Sequence, residues 1–328
     1  MYGGAVISCS TSERATVTVE DWDCLELEVA GETHRIRSEA DLKQNGRMFD
    51  AILAAIEYFE LEGASIRISV VSDIPVRAGL SGSTAVMTAL VAALLEWMDA
   101  TGFGSAERFV WGGNAWKSHH LLAEIVRHIE LYFLKIVCGY QDAYMCTFGS
   151  LNFLDFGDKQ HYLSLDREPL GTVEDLSGSV ANVPIILVHT GVQRVSGAVH
   201  KPVRDRWIEG DTHVVNGMLR LAHIARMAKL PMIRGDWDRL GELMTENHEI
   251  TRSFGSSSAV NERIISLALE SGAVAAKLAG AGRGGTVIAL NPDPGPMIEA
   301  LQAEKTGRVL YPLPSDGVRR EEIPTGGA

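Results

Sequence analysis

The chain has 328 residues, 46% of them hydrophobic, with 42 acidic against 30 basic side chains and a net charge of −12. That length exceeds what one hydrophobic core usually organises, so two domains are expected, and the acidic balance disfavours sequence-independent nucleic-acid binding, which needs clustered cations. No stretch reads as long and apolar enough to span a bilayer and no secretory leader pattern opens the chain, so no membrane partner is expected; the four cysteines form no C-x-x-C pair, which argues against a zinc site and for a reducing cytoplasm.

In chain order, Ala5 to Val19 and then Cys24 to Val29 alternate as strands and suggest a hairpin. Phe49 to Leu61 reads as a helix. Ala64-Ser-Ile-Arg-Ile-Ser-Val-Val71 alternates like a half-buried strand, and Ala85 to Trp97, nearly all apolar without Gly or Pro, reads as a buried helix. Between those two lies Pro75-Val-Arg-Ala-Gly-Leu-Ser-Gly-Ser-Thr-Ala85, a loop of small residues. Backbone N–H groups at a helix start lack intrahelical partners and carry the positive end of the helix dipole. Gly79, Gly82 and the hydroxyls of Ser81, Ser83 and Thr84 would therefore surround an anion with donors, with Leu80 in the turn and Arg77 at its edge. The plainer alternative is a tight strand-to-helix turn with Ser83 or Thr84 as N-cap. The loop lacks the Gly-Lys-Ser/Thr ending of a P-loop and the G-x-G-x-x-G spacing of a dinucleotide site.

Trp116 to Leu134 reads as a further helix, followed by Val137-Cys-Gly-Tyr-Gln-Asp-Ala-Tyr144 and a strand at Leu151 to Phe156. Asp166 to Asn182, rich in Asp, Glu, Gly and Ser, is the expected linker between domains at 1–165 and 183–320. Val183 to His189 then reads as a buried strand. Helices are expected at about Gly210 to Met232, Trp237 to His248 and Asn261 to Ser271. Lys277-Leu-Ala-Gly-Ala-Gly-Arg-Gly-Gly-Thr286 is a glycine-rich turn leading into the strand Val287 to Leu290, and Arg319 to Ala328 is expected to fray.

The loop at 75–85, the Gly-Tyr-Gln-Asp segment and the turn at 277–286 occur in the order of three motifs of the GHMP kinases, and the chain resembles that superfamily. The run Ser196-Gly-Ala-Val-His-Lys-Pro-Val-Arg-Asp-Arg-Trp207, with Gly210-Asp211 and Leu243-Met-Thr-Glu-Asn247, is most similar to the glucuronokinase branch, with heptose-phosphate kinases as neighbours. The resemblance covers most of the chain and implies an α+β fold: an N-terminal ribosomal-protein-S5-like α/β domain and a C-terminal ferredoxin-like α+β domain. It implies an ATP-dependent sugar kinase that uses Mg2+ and acts on a small-molecule sugar, and leaves a homodimer open.

Phosphoryl transfer asks a protein mainly to hold two oxygens in line and to neutralise charge, and magnesium takes oxygen ligands while keeping several waters. On the resemblance, Ser83 is the magnesium-side hydroxyl and Glu130, twelve residues before Asp142, is the candidate carboxylate; a solvent-facing glutamate is the alternative. Asp142 is the expected general base, since a sugar hydroxyl attacks only as its proton is taken; an aspartate that merely caps the next helix is its alternative. Gln141 and Tyr140 are expected near the substrate. Gly280, Gly282, Gly284 and Gly285 would let the third motif approach the first loop, where a Cβ would block it. An acidic protein that binds ATP must gather positive charge locally, for which Arg77, Lys277, Arg283, His200, Lys201, Arg204 and Arg206 are candidates. Arg204 and Arg206, beside His200 and Trp207, would meet the carboxylate of a uronate.

One departure bears on activity. Met1-Tyr-Gly-Gly-Ala-Val6 is similar to the strand that follows the superfamily's first motif, and that motif, with its basic residue, is absent from this sequence. A late start, a truncation and a degenerate member are all compatible with this. The readings in play are therefore an active kinase on a uronic acid, a heptose-type kinase, and a non-catalytic sensor that keeps the fold; a decarboxylase is disfavoured by the Gly-Tyr-Gln-Asp segment.

Overall fold

The computed structural model describes residues 2–46, 48–75, 78–104, 118–159, 167–180, 183–192, 196–280 and 282–321, excluding the side chains of 196–200. The first half is built on β2 (Ala15–Asp21), β3 (Glu26–Val29), β4 (Glu32–Arg35) and β5 (Ile66–Ser72), in the order β2-β5-β3-β4. The expected early hairpin is corrected here. β2 and β3 are not neighbours, because β5 lies between them, antiparallel to β2 and parallel to β3. β5 takes the central place because Ile66, Ile68 and Val70 all point to one buried face.

That face is covered by α1 (Asp50–Phe59), α2 (Gly82–Thr101), α3 (His119–His128) and α4 (Gln141–Phe148) in one continuous core. α2 runs 20 residues, longer than its apolar stretch suggests, and by length and composition alone could cross a bilayer. Met87, Leu90, Val91, Leu94, Leu95 and Met98 are instead packed into this core. Here α3 covers only part of the helix expected from Trp116 to Leu134; 116–117 lie outside the described residues.

A second sheet joins β1 (Ala5–Cys9), β6 (Leu151–Asp155) and β7 (Thr172–Asp175), antiparallel throughout. β7 falls inside the expected linker. Its polar composition misled because it is an edge strand with three of four residues exposed.

The second half carries β8 (Ile185–His189), α5 (Ser196–Ile208), α6 (Thr212–Arg234), α7 (Trp237–Ser253), α8 (Ala259–Glu270), β9 (Ala275–Ala279), β10 (Thr286–Leu290), α9 (Gly295–Ala303) and β11 (Arg308–Leu310). The sheet order β11-β8-β10-β9, antiparallel at each pairing, is the fourth-first-third-second order of a ferredoxin-like unit. α6 begins sharply because the Asp211 carboxylate accepts the N–H groups of His213 and Val214.

Beyond β11 the chain does not stay with the second domain. Leu313 N–H donates to Ser10 O at 3.0 Å, Ser150 N–H to Ser315 O at 2.7 Å and Val318 N–H to Thr147 O at 3.1 Å. Arg14 Nη1 donates to Asp316 O at 2.7 Å. Residues 311–318 thus form a strap over the end of α4, where a Cβ on Gly317 would overlap the Thr147 carbonyl oxygen.

Candidate active site

The strand-to-helix loop leaves the start of α2 uncapped. Ser81 stands before α2 with φ 56° and gives no side-chain cap, so the first-turn amides of α2 take no bond from the capping side chain. Gly79, Leu80, Ser81, Gly82 and Ser83 line the cleft between the two halves. Thr286, fully buried on β10, donates its hydroxyl to Ala78 O at 2.9 Å. That bond ties the strand after the third glycine motif to the phosphate loop across 208 residues. At Gly82 a Cβ would meet Ile74 Cγ2 at 3.2 Å, so a larger side chain there crowds the loop itself. Arg77 lies outside the described residues.

Across from the start of α2, the helix that began as α3 widens into a π-helical turn at Ile129–Phe133, closed by Leu134 N–H on Ile129 O at 2.9 Å. Glu130 is on this turn, 3% exposed, and accepts a hydrogen bond from Thr84 Oγ1 at 2.7 Å. The hydroxyl that meets the carboxylate therefore belongs to Thr84. Ser83, the residue singled out from the sequence, is exposed at the cleft, because one residue along a helix turns the side chain by about 100°. Burial, and after it the nearby Asp142 carboxylate, push the Glu130 carboxyl up to about 7, against the hydrogen bonds from Thr84 and Cys138.

Asp142 is in the first turn of α4. Tyr140, Ala143, Tyr144 and Thr147 are buried, whereas Gln141 and Asp142 are exposed and line the cleft. The helix period divides the two sets. A hydroxyl and two carboxylates are all hard oxygen donors, and Glu130 is buried with no cation among the groups that shift it. Such a set fits Mg2+ shared with phosphate oxygens, with Thr84 and Glu130 as its holders.

The glycine turn is pinned by a residue the sequence reading missed. Asn261, fully buried on α8, donates Nδ2–H to Gly284 O at 3.1 Å and accepts from Gly284 N–H at 2.8 Å. Gly282, at φ 80°, passes so close to Ser256 that a Cβ would overlap its carbonyl oxygen. Gly285 N–H reaches Val192 O at 3.3 Å, and of these glycines Gly280 also lines the cleft. A fixed amide pair three residues into a helix has no periodic signature, which is why Asn261 went unread.

Several candidates resolve differently. Tyr140 touches the cleft wall but is 2% exposed, and its hydroxyl is taken up by a bond to Glu168. Arg206 donates Nε–H to Asp211 at 2.8 Å and supports the start of α6. Neither it nor Arg204 is among the cleft-lining residues; Arg204 acts on Tyr2, whose ring packs edge-on against Trp207 at 5.4 Å. The His200 side chain is outside the description. Arg283 bonds Gly255 O at 3.1 Å and serves the turn. Lys201 and Lys277 do line the cleft. Lys277 donates to Leu278 O at 2.6 Å, and burial pushes its ammonium down to about 8.

The GHMP kinases N terminal domain matches residues 47–150 and the GHMP kinases C terminal domain residues 228–305, together more than half of the chain. The chain belongs to the GHMP kinases. Glucuronokinase 1 of Arabidopsis thaliana is 29% identical over 263 residues, covering 77% of this chain and 66% of its own length. Probable glucuronokinase 2 of the same plant is 28% identical over 262 residues, covering 77% and 65%. A D-glycero-alpha-D-manno-heptose 7-phosphate kinase of Campylobacter jejuni is 25% identical over 232 residues, covering 70% and 62%. The alignments thus span just under two-thirds of these relatives. Among solved structures, Lactococcus lactis galactokinase complexed with galactose superposes with a TM-score of 0.72 at 13% identity, covering 96% of this chain and 89% of that one. The two-domain α+β fold expected from the motifs is therefore the fold of the family.

Proposed function

We propose that this chain is an ATP-dependent sugar kinase that phosphorylates the anomeric hydroxyl of a uronic acid to a sugar 1-phosphate. The observation that carries the reading is the convergence of Thr84, buried Glu130 and exposed Asp142 at the start of α2. The α2 amides bind and orient phosphate, and Thr84 with Glu130 holds the cation. Mg2+, when bound, neutralises charge on the transferring phosphoryl group. Asp142 accepts the proton of the sugar hydroxyl, and Gln141 beside it orients the sugar. Thr286 keeps the two glycine loops in register from the second domain.

The uronate is supported by the two plant relatives and by an acidic chain that keeps Lys201 and Lys277 on the cleft. The Campylobacter relative favours a second reading, a heptose or heptose-phosphate acceptor. A non-catalytic sensor is the third. ADP release measured with glucuronate, galacturonate, galactose and heptose 7-phosphate separates them. Turnover confined to an acidic hexose supports the proposal, turnover on heptose 7-phosphate replaces it with the second reading, and sugar or ATP binding without ADP leaves the sensor.

A further inference from the structure

On the side of α4 away from the cleft lies a buried cluster of charge that the proposed chemistry does not use. Tyr140 and Tyr144, one helical turn apart, point into it, while Gln141 and Asp142 between them face the cleft. The Tyr140 hydroxyl donates to Glu168. The Tyr144 hydroxyl donates to Glu124 on α3 at 2.5 Å and accepts from Gly171 N–H at 2.8 Å. Lys159 bridges the two carboxylates, 2.7 Å from Glu124 and 3.5 Å from Glu168. The Arg127 guanidinium lies 4.1 Å over the Tyr140 ring and 3.9 Å from Glu168. The side chains of Glu124, Lys159, Glu168 and Arg127 are between 1% and 7% exposed, two anions against two cations.

Burying four charges is no efficient way to hold helices together, since apolar residues of similar volume often do as well or better. What hydrogen bonds add is direction: a packed apolar face can slide, and a bonded one has a single register. The register here is that of two functional groups. Arg127 is three residues before Glu130, and Tyr140 two before Asp142.

We propose that Tyr140 and Glu168 are positioning residues: their hydrogen bond, clamped by Arg127 and Lys159, fixes the first turn of α4 and so the place of the Asp142 carboxylate relative to Glu130. The inference rests on the kinase reading in its activity arm only. Amide hydrogen exchange needs no turnover. Tyr140→Phe should speed exchange at the amides of residues 144–146, whose acceptors lie in the first turn of α4, by roughly tenfold or more, with β5 and β10 amides at parental rates. Exchange unchanged at that turn overturns the proposal.

In the activity arm, Tyr140→Phe should lower kcat by about tenfold while KM for ATP stays within about twofold. Glu168→Gln is the discriminating partner, since it keeps an acceptor for Tyr140 but strands the charge of Arg127 and Lys159. It should lower the melting temperature more than Tyr140→Phe does, yet retain more of kcat. If kcat instead follows melting temperature across the two variants, the cluster only holds the fold and the proposal fails. A parent protein that turns over no sugar sinks the kinase reading, and the exchange result still decides this one.

Discussion

Helix α3 with the π-turn that continues it, and helix α4, each contribute to two carboxylate sites, and the sites are treated in opposite ways. In the interior, Glu124 and Glu168 meet Lys159 and Arg127, and both tyrosines bond to them. At the cleft, Glu130 meets a hydroxyl, a thiol and a second carboxylate, and its proton affinity rises to about 7. The interior charges, which meet no ligand, are neutralised by other side chains of the fold. Glu130, left without a cation, is where the proposed reading would have a ligand bring one.

The strongest way to break this contrast is at Asp142. Asp142→Asn should lower turnover by roughly 10²- to 10⁴-fold with little loss of melting temperature, because the side chain is exposed and supports no packing. Near-parental turnover would remove Asp142 from the chemistry. The same variant takes away one cause of the upward shift at Glu130, so the titration of Glu130 should move down.

The next effect is a pH dependence of stability. The Glu130 carboxyl, near 4.5 in an unfolded chain, is held to about 7 in the folded one. Between those values the folded state keeps a proton that the unfolded state has lost, so stability should fall as pH rises from about 4.5 to about 7 and level off above. The loss is on the order of 3 kcal/mol. Glu130→Gln should flatten that part of the curve in thermal melts, whereas a slope kept by the variant would place its origin elsewhere.

A smaller test compares neighbours on α2. Thr84→Val removes the hydroxyl that donates to Glu130 and should cost about 1.5 to 3 kcal/mol in urea unfolding near neutral pH, together with magnesium-dependent ATP binding. Ser83→Ala should change stability far less. Equal effects would mean that both hydroxyls face the cation. Smallest of all, Arg206→Leu loses a solvent-screened pair with Asp211 and should leave the urea midpoint close to parental. A selective loss of uronate turnover in that variant would restore the substrate role read from the sequence.

Motifs carried the class of fold: the strand, loop and helix around Gly79–Thr84, the Asp142 segment and the glycine turn are legible as local patterns, whereas Glu130 was reachable only through its offset in the family resemblance. Partnership was not. Nothing in the composition of Thr172–Asp175 says that it pairs with β6, since an edge strand needs no apolar alternation. Ser83 and Thr84 are equivalent as letters, and only the start of α2, one residue into the loop, decides which of them faces Glu130. The partner of the Tyr140 hydroxyl went unread for the same reason, because that carboxylate is 28 residues further on and carries no motif. Arg206 was read toward a uronate carboxylate because nothing local marks Asp211, five residues on, as its partner.

The strap at residues 311–318 has a consequence for how the molecule is made. Ser10 waits for Ser315, 305 residues later, and the end of α4 waits for Gly317 and Val318. During synthesis, then, the first domain emerges whole in sequence yet unfinished in structure until the second has left the ribosome. Contacts of such separation close late and slowly. Cutting the chain at residue 312 would accordingly leave a second domain with all four strands and a first domain lacking its final seam, in which proteolysis should find the end of α4 first.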